Sequence, residues 1–134
     1  MLIISVLIFC VVGLGLLAMG YKYMTAEPPM DYHAEILSGI AVTDEMKLIL
    51  GALYKSMGGA FLALGLGTIL IALTGVRADM FMAKLTLLVM TCTVGFLTTR
   101  AARHVQIQSN IKTPWRIAAV LTVVSLFGFL LSLF

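Results

Sequence analysis

An apolar run from Thr43 to Gly75 carries Gly51, Gly58, Gly65 and Ala72 at seven-residue intervals. On an α-helix that spacing puts all four on one side. Lys55, four after Gly51 and three before Gly58, is expected beside them. Gly59 and Gly67 add further small residues. In water such a helix would be weak, because each interior glycine costs about 1 kcal/mol relative to alanine. In lipid the same glycines let two backbones approach, and packing drives the association. Thr43 reads as the N-cap, with Asp44 and Glu45 in the first turn where the helix dipole favours acids.

The remainder of the chain has the same character. Hydrophobic residues make up 61% of the 134 and charged residues 11%, against roughly 45–50% and about 25% in soluble domains. Three more apolar runs approach the ~20 residues that a bilayer core requires. The spans are expected at about 2–21, 46–74, 81–102 and 114–134. The reading is all-α: a single polytopic membrane domain over residues 1–134, built as an antiparallel bundle of four transmembrane helices. The N-terminal run has no basic flank and is longer than a signal-peptide core, so it is expected to remain as a span.

Gly13 and Gly20 lie one heptad apart in span 1, and Tyr21, Lys22 and Tyr23 form an interfacial belt behind it. Glu27-Pro28-Pro29 breaks the helix. A short interfacial helix is expected over Asp31–Leu37, ended by Ser38-Gly39. Span 3 is rich in hydroxyls and should continue past the membrane to about Gln106. Thr113 reads as the N-cap of span 4, with Pro114 at its first position. Ala118, Ser125 and Ser132 repeat the seven-residue spacing, which suits left-handed bundle packing. Cys10 and Cys92 sit in apolar surroundings and read as reduced, buried thiols.

Loops 1 and 3 and their edges hold Lys22, Lys47, Arg100, Arg103, Lys112 and Arg116, whereas the other side has Arg77 and Lys84. Counting Lys and Arg puts loops 1 and 3 in the cytoplasm and both termini opposite. Five acids, Glu27, Asp31, Glu35, Asp44 and Glu45, fall in or beside loop 1, so an acidic loop 1 is expected to meet a basic loop 3 in a polar cap.

Lys55 stands out because a charge at membrane depth costs about 3 kcal/mol or more. It reads either as a cationic floor for an anionic or polar head group, or as a snorkelling side chain reaching Glu35, Asp44 or Glu45. Arg100, Arg103 and His104 suit a phosphate or carboxylate, and equally suit topology anchoring. Asp31, His33, Glu35 and His104 do not make a convergent metal set, and no metal or other cofactor is expected beyond a bound lipid. No phosphate loop, hydrolase triad, intramembrane acid or nucleic-acid footprint is present.

The run from Leu50 to Gly65, with Lys55 ahead of Gly58-Gly59, and Arg100 near the end of span 3 resemble a pattern in small four-span bacterial membrane proteins, some of them DoxX-like and others of unassigned function. The resemblance covers spans 2 and 3 and implies a bundle fold in a bacterial inner membrane, but no reaction.

The expected function is a non-enzymatic membrane module: an accessory subunit, or a binder of a lipid or other lipophilic molecule. The alternatives are a membrane enzyme acting on a lipid or quinone through Lys55, Arg100 and His104, and a small transporter or channel component. The small-residue stripes Gly51, Gly58, Gly59, Gly65 and Ala72 exceed what one bundle can bury, so a homo-oligomer or a partner membrane subunit is expected beside the membrane lipids.

Overall fold

A computed structural model describes residues 1–134 as helices joined by short connections. Helix α1 is Leu2–Thr25, α2 is Asp31–Ile36, α3 is Asp44–Ile71, α4 is Phe81–Ser109 and α5 is Trp115–Ser132. A wide π turn over Ala72–Val76 extends α3. Four of these helices are long and apolar enough to cross a membrane, and each turns large apolar side chains outward, among them Leu7, Leu66, Val89 and Val123.

Glycine sets the closest contact. A Cβ on Gly13 would stand 2.9 Å from the Gly65 carbonyl oxygen, and one on Gly20 would stand 2.9 Å from the Gly58 carbonyl. The reciprocal contacts are equally short, at 2.8 Å from Gly65 to Gly13 and 3.0 Å from Gly58 to Gly20. One heptad on each antiparallel helix therefore puts backbone on backbone at two levels. Further down the same seam, Val6 and Ala72 join one apolar cluster with Phe9, Val76 and Leu87. At the other end Pro28 packs over Gly51.

Helix α1 packs on α3 and on α5, and α5 packs on α4. Helices α3 and α4 follow each other in sequence yet barely touch beyond the π turn. The bundle is thus closed at the loop 2 end and splayed at the loop 1 and loop 3 end.

Polar groups inside the bundle tie α5 to its neighbours. The Ser5 hydroxyl donates to the Gly128 carbonyl at 2.7 Å, and the Thr91 and Ser125 hydroxyls bond each other. Lys84 is the buried cation. Its side chain is 6% exposed, and its ammonium donates to the Ser132 carbonyl at 2.6 Å and to Asp79 at 2.5 Å. The positive charge sits where the α5 dipole is negative and fills an otherwise unpaired terminal carbonyl.

Several local expectations are realised and others are displaced. The Thr43 hydroxyl accepts from the Met46 amide and caps α3. Helix α4 reaches Ser109 and ends on Asn110 in the left-handed conformation. Thr113 does not cap α5. Its hydroxyl donates to the Ala102 carbonyl, and its amide donates to Gln106 Oε1, so it anchors loop 3 to the end of α4. Cys10 and Cys92 are free and partly buried.

Because Gly65 meets a backbone carbonyl and Gly67 meets nothing within 4 Å, alanine should separate the two positions. Gly65→Ala is expected to lower stability by about 1–3 kcal/mol through overpacking. Gly67→Ala should be neutral or stabilising by up to about 1 kcal/mol. Thermal unfolding in one detergent, followed by helical circular dichroism, measures both.

Candidate functional site

The splay between α3 and α4 leaves an internal cavity of about 330 Å³. Val12 and Leu16 of α1 form its back wall, Met57 and Phe61 of α3 one flank, and Val94 and Thr98 of α4 the other. Ala118, Leu121 and Thr122 of α5 complete it. Fifteen of its twenty lining residues are hydrophobic, which suits a lipophilic occupant rather than a polar metabolite. The Thr91 and Thr122 hydroxyls on this wall are already bonded to helix carbonyls, so they offer little to a polar ligand.

An aromatic roof covers the loop 1 end. Tyr23 and Tyr32 both line the cavity. Tyr23 meets Tyr54 edge-on with centroids 5.7 Å apart, and stacks with Phe61 at 6.0 Å. Tyr32 rests on His33 at 4.1 Å, and His33 stacks on Tyr54 at 5.4 Å. With His33 Nδ1 unprotonated, the Tyr54 hydroxyl donates to it at 2.5 Å and accepts from the Met30 amide at 3.5 Å. An ion pair between Lys22 and Asp31 holds the start of α2 to the end of α1. These contacts bring Tyr32 over the cavity mouth.

Burial pushes the Tyr32 phenol up to about 12, with the neighbouring Tyr23 adding to the rise. Burial also lowers the His33 imidazole below its ordinary value, against an opposing pull from Asp31. The roof is therefore uncharged at neutral pH, apart from the Lys22–Asp31 pair.

A second concavity lies on the outside of α4. It is a shallow groove of about 630 Å³ bordered by Phe96, Thr99, Arg100, Arg103, His104 and Ile107, with Leu97 and Ala101 at its edge. Leu97 and Ala101 also line the inner cavity. The Arg103 guanidinium rests on the Trp115 ring at 5.7 Å. No acid pairs with any of the three bases, because the ion pairs of the chain are Lys22–Asp31, Lys47–Asp44 and Lys84–Asp79. The Thr99 hydroxyl is buried and unbonded among the groove residues.

Arg100, Arg103 and His104 thus come together, as one helix face allows. Lys55 does not join them. Tyr54 takes the inward position on α3, and Lys55, one residue and about 100° further round, is exposed. It lies outside both the cavity and the groove, and it reaches neither Glu35, Asp44 nor Glu45. Glu35 is exposed on α2 and lines neither concavity. The expected meeting of acidic loop 1 with basic loop 3 is replaced by local pairs within or beside loop 1. Tyr23, Tyr32 and Tyr54 escaped the sequence reading because tyrosines at span ends ordinarily mark the interface. Only the heptad relation of Tyr54 to Phe61 hinted at an inward face.

Acid should weaken the roof. The folded state holds His33 below its unfolded value of 6.5, so the unfolded chain binds more protons as the pH falls through about 6.5, and stability falls with it. The loss levels off once the folded imidazole also protonates. Thermal midpoints at pH 7.5 and pH 5 should differ for the native chain, and His33→Gln should shrink that difference. Family models, curated proteins and solved structures return no match to this chain.

Proposed function

We propose that this is a non-enzymatic integral membrane module that holds a lipophilic molecule between α3 and α4. The supporting observation is the 330 Å³ apolar cavity, roofed by aromatic side chains and flanked by two helices that do not close on each other. Its volume falls in the lower part of the range of roughly 300–1,000 Å³ usual for small-molecule sites. An acyl chain, an isoprenoid tail or a similar apolar group fits its lining. Reaction chemistry finds less support, because Lys55 stands apart from Arg100 and His104, and the Thr91 and Thr122 hydroxyls of the cavity are engaged in helix bonds.

In this reading the cavity opens toward the leaflet at the loop 1 and loop 3 end. The Lys and Arg count favours a cytoplasmic position for that end, and the resemblance of spans 2 and 3 is in keeping with a bacterial inner membrane. Self-association belongs to the same proposal. Ala52, Ser56, Gly59 and Ala63 form an outward small-residue face on α3, opposite the face that meets α1. Such a face suits a second helix.

Two measurements test these claims. Ala118→Phe places a ring inside the cavity and should remove co-purifying lipid, or binding of an environment-sensitive hydrophobic dye, while helicity is retained. Unchanged lipid or dye binding would end the cavity reading. Native mass spectrometry of the same preparations should show a dimer or larger species. Gly59→Leu combined with Ala63→Leu should convert it to monomer, and a native chain that is already monomeric would end the association reading.

A further inference from the structure

We infer that the occupant is a single-chain anionic amphiphile whose head lies in the basic groove of α4 and whose chain crosses Leu97 and Ala101 into the cavity. The inference rests on the lipophilic-cavity reading and adds the chemistry of the head and the route of entry.

The geometry carries three parts of this. First, Leu97 and Ala101 border the cavity on one side and the groove on the other. They are four residues apart on α4, and His104 continues their line by three more, so all three lie along one edge of the helix. Ala101 is a notch in that edge, because it offers only a methyl group between larger neighbours. Leu97 and Ala101 share the cavity lining with Met57 and Phe61 of α3.

Second, the groove is positively charged without compensation. Arg100 and Arg103 carry the charge, the His104 ring lies beside them, and no carboxylate lines the groove. Arg100 and His104 make no ion pair, and the Trp115 ring supports Arg103 without consuming its N–H donors. Guanidinium groups bond carboxylate and phosphate oxygens in pairs. Trp115 and Arg116, beside Arg103, have the composition of a membrane interface. The head would therefore lie at the depth where a lipid carries its charge.

Third, the cavity accepts one chain. Its volume of about 330 Å³ and its mostly apolar lining suit a single acyl chain rather than the pair carried by a diacyl lipid. A fatty acid and a lysophospholipid share this chemistry, and probes distinguish the two heads.

The test uses the whole chain in neutral detergent, with native mass spectrometry reading occupancy. The probes are oleate, oleoyl lysophosphatidic acid, the neutral monoolein and inorganic phosphate. Both anionic amphiphiles should outcompete monoolein by roughly tenfold or more, the factor given by one charge-assisted contact. The larger advantage identifies the preferred head. Inorganic phosphate should not displace them. Arg100→Gln with Arg103→Gln, both exposed positions, should bring the anionic and neutral chains to parity without loss of monoolein. Ala101→Phe should reduce all three chains by closing the notch.

Equal occupancy by anionic and neutral chains, with Ala118→Phe removing both, would overturn the head-group assignment and leave the cavity reading standing. An anionic preference that survives Ala118→Phe, or displacement by phosphate alone, would overturn the coupling of groove to cavity. Chains that do not bind the native protein at all would bring down the cavity reading itself.

Discussion

The contact between the α1 and α3 backbones governs the rest of the architecture. Gly13 against Gly65, and Gly20 against Gly58, leave no room for even one added carbon. Hydrophobic burial does not distinguish helix faces in lipid, because acyl chains are as apolar as leucine. Close backbone approach supplies the distinction instead, through dispersion and through a register that only glycine permits. Once α1 is committed to α3, its remaining face receives α5, and α4 follows α5. Helix α3 then meets α4 mainly through the π turn and only sparingly elsewhere.

That separation is an asymmetry along the membrane normal. At the loop 2 end, Val6, Phe9, Ala72, Val76 and Leu87 pack tightly, and the Lys84 ammonium closes the C-terminus of α5. Its two partners, a carbonyl and a carboxylate, offset the cost of burying the charge. At the opposite end the core is aromatic and looser, and α2 with its Tyr32 bridges the space that helices leave. One end holds the bundle together. The other has volume, an uncharged roof and, on the outside of α4, the unpaired Arg100.

The division of labour among cations follows from the same geometry. Lys84 is consumed by structure, Lys22 by the α2 strap, and Arg103 is steadied by Trp115. Arg100 remains without a protein partner in the groove, beside the equally unpartnered His104 ring. Lys55 is equally unpaired but faces away from both concavities.

Composition and periodicity alone establish four apolar helices, the break at Glu27-Pro28-Pro29, the short helix from Asp31 and the Thr43 cap, because each depends on residues within a few positions of one another. The grouping of Arg100, Arg103 and His104 is readable for the same reason: one helix face contains them all. Tertiary structure alone decides the others. Lys55 lies at the margin of its stripe, where spacing cannot distinguish inward from outward, and the bulk of Tyr54 takes the inward place. Lys84 is buried by the distant C-terminus of α5, and Thr113 is drawn from its own helix to the end of α4. The cavity exists because two helices adjacent in sequence are not adjacent in space, and a heptad pattern records which face of a helix packs but not which neighbour it meets.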